Sequence, residues 1–213
     1  MNFLKLDPNK VYDAVQIASI NPDADTAAET IRSTGGTITY ATSAAALAVA
    51  SADAADTTQT VTITGLNGSY VETTETVTLT GTTPVNTTTT WLRVFSVTLS
   101  AACAGAVTVG ANITIAIGDL SYTAATYTVP ANKFAYLVAV RAHSIIDADI
   151  HLRVRPFGGA WRTIYSTETT ELGGIDHKFA APLRLDAKSD IDMQCVNGTS
   201  SVVHGGFELW LVN

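Results

Sequence analysis

TVTITGLNGSYVETTETVTLTG, residues 60–81, puts threonine at nearly every second position and carries only two charged side chains, Glu72 and Glu75. Threonine is β-branched and favours extended backbone, while its hydroxyl tolerates water on the outer side of a sheet. The stretch therefore reads as a β-hairpin, and its register follows from which residues must share a face. A two-residue turn at Asn67-Gly68 would set Ile63 against Glu72 and Thr64 against Val71, mixing apolar with polar positions. A three-residue loop of Leu66, Asn67 and Gly68 instead pairs Ile63 with Val71 and keeps Val61, Ile63, Val71, Val77 and Leu79 together. Glu75 falls on that apolar side as an exception, the mark of a bulge or of the wet rim of the sheet.

Downstream of the hairpin, period-two segments recur at short intervals, separated by Gly, Pro, Asn and Asp, as in an all-β sandwich or barrel. WLRVFSVTLS aligns Phe95, Val97 and Leu99, and NITIAIG aligns Ile113, Ile115 and Ile117. In KFAYLVAVRAH the expected inner row is Phe134, Tyr136, Val138 and Val140. DIHLRVRPFGG turns Ile150, Leu152 and Val154 inward and His151, Arg153 and Arg155 outward, and GGFELWLVN closes with Phe207, Leu209 and Leu211. Helical periodicity is nearly absent. Eight or so antiparallel strands from about residue 92 onward suffice for a jelly-roll-like sandwich.

Upstream, TSAAALAVASADAAD (42–56) is helical by alanine propensity but alternates at Leu47 and Val49, and its β flanks favour a strand. Residues 1 to about 35 differ from the rest, and two readings fit them: a short helix capped by Asp23 or Asp25, or an extended arm reaching onto a neighbouring subunit. The expected organisation is an N-terminal arm at 1–40, a small Thr/Ala-rich β region at 41–90 and the antiparallel jelly-roll-like sandwich at 91–213.

With 46% hydrophobic and 15% charged residues among 213, the chain has globular composition, long enough to bury roughly 70% of its unfolded surface without staples. Cys103 and Cys195 are too few for a disulfide framework and lack zinc-site spacing. The formal charge of −7 argues against binding nucleic acid through phosphate neutralisation. No apolar run is long enough to span a membrane, and the first residues do not read as a secretory signal. Basic residues are absent between Arg32 and Arg93 and gather late in the chain, which fits either solvated strand faces or an acidic partner.

No motif places a base beside a nucleophile, and neither a phosphate-cradling loop nor a dinucleotide fingerprint occurs. His143, His151, His177 and His204 are scattered. Asp147, Asp149 and His151, or Asp186, Asp190 and Asp192, would share a strand face, yet neither set has the pattern of a calcium loop. Glu168 and Glu171, the nearest to a glycosidase pair, sit in a Thr/Gly-rich turn. Trp91, Trp161 and Trp210, with Tyr165 and Phe157, read as core or interface packing more than as a sugar platform. No catalytic residue, cofactor or metal is therefore expected. The site expectation is a partner-binding face of Arg153, Arg155 and Arg162, solvated enough that reversing Arg153 and Arg155 to Glu would leave the protein folded.

From about residue 57 onward, the threonine-rich ETVTLTGTTPV, the TVPANKFAYL segment and the arginine-aromatic LRVRPFGG, in that order, resemble small virion proteins of tailed bacteriophages, especially of aquatic phages. That resemblance implies a place in a particle made in a bacterial cytoplasm. Its leading form is a trimeric head decoration, or cement, protein that clamps the major capsid protein. A tail, vertex or fibre component that meets the host surface is the alternative, and a carbohydrate-active or carbohydrate-binding β-sandwich enzyme is a further rival. Residues 1–56 lie outside the resemblance.

Overall fold

The computed structural model describes residues 12–145, 147–169, 173–197 and 201–213, and every regular element among them is a β-strand. In chain order these are β1 (Tyr12–Ala24), β2 (Glu29–Thr30), β3 (Ala48–Ser51), β4 (Thr60–Asn67), β5 (Glu72–Thr78), β6 (Val85–Asn86), β7 (Trp91–Leu99), β8 (Val107–Val109) and β9 (Ile113–Ile115). They continue with β10 (Ser121–Thr123), β11 (Thr126–Thr128), β12 (Phe134–Ser144), β13 (Ala148–Arg155), β14 (Arg162–Thr169), β15 (Gly174–Leu185), β16 (Asp190–Asn197) and β17 (Ser201–Val212). All pairings between them are antiparallel.

The chain forms two units, one of residues 1–37 and 124–213, the other of residues 38–123. This division differs from boundaries at 40 and 90. Trp91–Leu99 pairs with Thr60–Asn67 in the inserted unit, because its apolar row of Val97 and Leu99 lines up with Ile63 and Val61. Residues 12–24 are neither a helix nor a free arm. They form an edge strand on β17, with Ile17 opposite Phe207 and Val15 opposite Leu209.

In the larger unit one sheet runs β1-β17-β12-β15 and the other β11-β16-β13-β14, with β2 also on β16. The pairs nest: β13 with β14, β12 with β15, β11 with β16 and β1 with β17. The winding is that of one long hairpin, its tip at residues 156–161, folded over into two layers. The layers make a β-sandwich, for a Cβ on Gly205 of β17 would lie 3.0 Å from Met193 Sδ of β16 in the opposite sheet. Ile150, Leu152, Val154, Phe207, Leu209 and Leu211 are all buried between them, as their alternation demands. β12 departs from expectation. Ala135 and Leu137 point inward, a register break between Leu137 and Ala139 then shifts the phase, and Phe134 and Tyr136 turn outward.

The two ends of the insertion lie side by side in the larger unit. Arg32 bridges Ala124, and Ala125 N donates to the Ile31 carbonyl at 2.8 Å.

The inserted unit has the sheets β10-β7-β4-β5 and β6-β3-β8-β9. Val61, Ile63, Val77, Val97 and Leu99 fill its core. The hairpin keeps the expected parity but not the expected register, for Ile63 faces Glu75 and Val71 is exposed. Asn67 is the reason: its Oδ1 accepts from Ser69 N and Val71 N, closing a longer turn in which Tyr70 has φ 59°. On the solvent face the threonines meet across the strands, Thr62 Oγ1 lying 3.0 Å from Thr76 Oγ1 and Thr64 Oγ1 3.2 Å from Thr74 Oγ1. The rows extend to Thr98 and Ser121, and to Ser96 and Thr123. Thus the threonine repeat builds an uncharged grid of hydroxyls.

Candidate functional site

Arg153 and Arg155 do share the outward face of β13, but the neighbouring strand claims them. β16 places Asp192 opposite Arg153 and Asp190 opposite Arg155. Arg153 Nη2 donates to Asp192 Oδ2 at 2.6 Å, and Arg155 donates to Asp190 Oδ2 through Nε at 3.0 Å and Nη2 at 2.5 Å. On the other side of β16, Thr128 Oγ1 donates to Asp190 Oδ1 at 2.6 Å. Both guanidinium groups also lie over the Trp161 ring, 4.9 and 4.8 Å from its centre. A planar cation is well suited to such double use, stacking on a ring while its edge serves a carboxylate.

The pairs are asymmetric in burial. Asp192 is 2% exposed in its side chain and Asp190 6%, against 26% and 27% for the two arginines. Burial pushes the Asp192 carboxyl above its ordinary range, and Arg153, Thr30 and Gln194 draw it only part of the way back. Charge reversal at 153 and 155 would therefore face two glutamates toward two buried aspartates. The expectation that this double change leaves the fold intact is corrected on that ground. Arg162, at the start of β14, is exposed.

The other sequence candidates disperse. Asp186 pairs with Arg184 at the surface, whereas Asp190 and Asp192 belong to the arginine pairs. Glu168 stands opposite Asp149 on an exposed stretch of β14, and Glu171 lies outside the described residues. Among the described residues no group of three His, Cys, Asp or Glu side chains converges. Trp91 is buried, Trp210 packs edge-on to Tyr12, and Phe157 lies under Lys188 Nζ.

Two carboxylates of the inserted unit hold loops in ways the sequence does not show: Asp56, which no pattern singles out, and Glu75, which stands out only as an exception on the apolar side of the hairpin. Asp56, 2% exposed, accepts from Ser51 Oγ at 2.6 Å, Ala104 N at 2.9 Å, Gly105 N at 3.0 Å and Gln59 Nε2 at 3.3 Å. The Ser51 hydroxyl and the two amides hold its carboxyl below the ordinary range. Cys103 beside it has its thiol pushed up by burial and by the Asp56 charge, so it is a poor nucleophile. Glu75, opposite Ile63, accepts from Thr88 N at 2.7 Å and Thr89 N at 2.8 Å. Burial opposes its ionisation, yet these bonds outweigh burial and lower its carboxyl. Both acids tie loops together.

No protein-family model matches the chain, and neither does any curated protein. Among solved structures, that of infectious bursal disease virus Gt strain aligns over 99% of this chain and 74% of its own, with 8% identity and a TM-score of 0.21. The Gx strain of the same virus aligns over 97% and 73%, with 10% identity and a TM-score of 0.20. What the geometry itself defines is an all-β protein of antiparallel sheets with a cation–aromatic–carboxylate network on one outer face.

Proposed function

We propose that the protein is a non-enzymatic structural subunit of a virus particle: a decoration, or cement, protein that binds the outer surface of a tailed-phage head as a homotrimer and bridges its major capsid protein. The observation that carries this reading is the nested winding of β1 and β11–β17. We read this winding as jelly-roll-like, and jelly rolls are an architecture of viral capsid and lectin domains, among others. By analogy of architecture, and by the resemblance of ETVTLTGTTPV, TVPANKFAYL and LRVRPFGG to phage virion proteins, such a body suits a particle subunit. A ring of three copies would use a heterologous, closed interface, and many copies on one shell would gain avidity.

In this reading Arg162, with the outward parts of Arg153 and Arg155, meets acidic capsid loops. Arg162→Glu then lowers occupancy on particles without touching the Asp190 and Asp192 pairs. The test is the number of copies per particle, by gel densitometry against the major shell protein. Hundreds of copies support the head. A few to a few dozen support the tail, vertex or fibre reading instead, and unchanged occupancy with Arg162→Glu removes Arg162 from the contact.

A further inference from the structure

The solvent face of the β1-β17-β12-β15 sheet carries a trough of about 500 Å³ that crosses all four strands. That size lies within the roughly 300–1,000 Å³ of ligand-binding clefts. The trough follows one row of the register, in which Ala18, Gly206, Arg141 and Asp176 stand in sequence across the sheet. Its floor is low because the middle of the row has no side chain: a Cβ on Gly206 would run into the Ile17 carbonyl. His204 and His143, directly paired and edge-to-face at 5.9 Å, rise along one side. Gln16 lies on the other, in register with Glu208.

The charges in this trough narrow what it can take. Arg141 Nε is 3.3 Å from Asp176 Oδ1, and its Nη2 is 3.5 Å from Glu208 Oε2. One guanidinium set between two carboxylates leaves no positive excess with which to hold an anion. What remains are closely spaced groups of both kinds: guanidinium and amide donors, carboxylate and amide acceptors, and ring nitrogens able to serve as either. Phe207 is buried, so among the described residues lining the trough no benzene-type ring is offered for stacking a planar base.

A ligand suited to this mixture has groups that donate and accept at once, carries no negative charge, and presents C–H surface to a floor of Ala18 and Gly206. Sugar hydroxyls and ring carbons meet all three conditions. We propose that the trough binds a neutral saccharide unit, with Arg141, Asp176, His143, His204 and Gln16 contacting its hydroxyls.

The experiment titrates the full-length protein calorimetrically with glucose, galactose, mannose and N-acetylglucosamine, and with sulfate as the anionic probe. The expected result is saturable binding of at least one sugar and none of sulfate. Ala18→Trp, an outward and exposed position on an edge strand, fills the trough and weakens that binding by about tenfold or more, a change of ~1.4 kcal/mol. Arg141→Met does the same, while circular dichroism and the melting temperature of both variants stay those of the parent. Failure of all four sugars to bind at tens of millimolar overturns the proposal, as does sulfate binding in their place. Sugar binding that Ala18→Trp and Arg141→Met leave unchanged overturns it equally.

Discussion

Arg153 Nη2 and Asp192 Oδ2 meet at 2.6 Å, but only the aspartate is out of reach of water. The two halves of this pair should therefore answer differently to mutation. Arg153→Ala strands a buried carboxylate and is expected to cost about 3 kcal/mol, the lower end for a broken buried pair because the arginine itself is partly wet. Asp192→Asn removes a charge whose burial already opposes ionisation, and its amide oxygen can still accept from Arg153. With the folded carboxyl above its ordinary 3.8, the stabilising contribution of Asp192 is full below that pH and lost as pH rises through the folded value. At pH 7 Asp192→Asn is thus expected to be neutral or stabilising in urea unfolding. A loss as large as that of Arg153→Ala would reverse this ranking.

The inserted unit should show the opposite response to acid. Asp56 and Glu75 have folded carboxyls below their ordinary 3.8 and 4.5, so their stabilisation is present above those values and lost as pH falls through the folded ones. Trp91 is the tryptophan of this unit, and Trp161 and Trp210 belong to the other. Acid titration of single-tryptophan variants is expected to disturb Trp91 at a higher pH than Trp161 or Trp210. Glu75→Ala, which leaves Thr88 N and Thr89 N without their carboxylate, should cost about 1–3 kcal/mol at neutral pH. Coincident transitions of all three tryptophans would contradict the assignment.

Period-two reading reached as far as parity allows. Ile150, Leu152 and Val154 were legible because β13 runs without a break over that stretch, and Phe207, Leu209 and Leu211 for the same reason. β12 misled because the break at Val138 reverses the faces and because Ala135, of little hydrophobic weight, is what a closely packed inner layer accepts. The hairpin register was off because the left-handed turn position is Tyr70, where a glycine would be looked for. Non-local partners stayed hidden. Arg153 and Asp192 each showed their alternation, but nothing local states that their strands are neighbours, and β1 lies almost the whole chain away from β17.

Because Arg32 and Ala124 are already bridged, the larger unit does not need the insertion to bring its strands together. Replacing residues 38–123 by a short Gly/Ser linker is expected to leave a cooperatively unfolding β protein. Closing a shorter loop costs little and slightly favours the folded state. Loss of the cooperative transition in differential scanning calorimetry would mean that the larger unit depends on the insertion for its stability.

Gly205 tests the packing between the two layers most directly. A Cβ at this position would run into Ile31 Cδ1 and come within 3.0 and 3.4 Å of Met193 Sδ and Cε. Ile31 and Met193 are both fully buried and cannot withdraw without moving others. Gly205→Ala is therefore expected to destabilise by about 1–3 kcal/mol, despite alanine's better strand geometry. The clash is with the terminal methyl of Ile31, so Ile31→Val, which removes that methyl at about 1 kcal/mol when made alone, should cost less or even restore stability in the Gly205→Ala background. The coupling between the two changes, read from a double-mutant cycle in urea, should be favourable and larger than about 0.5 kcal/mol. Strict additivity would mean that β17 and the Ile31 segment are not in contact across the core.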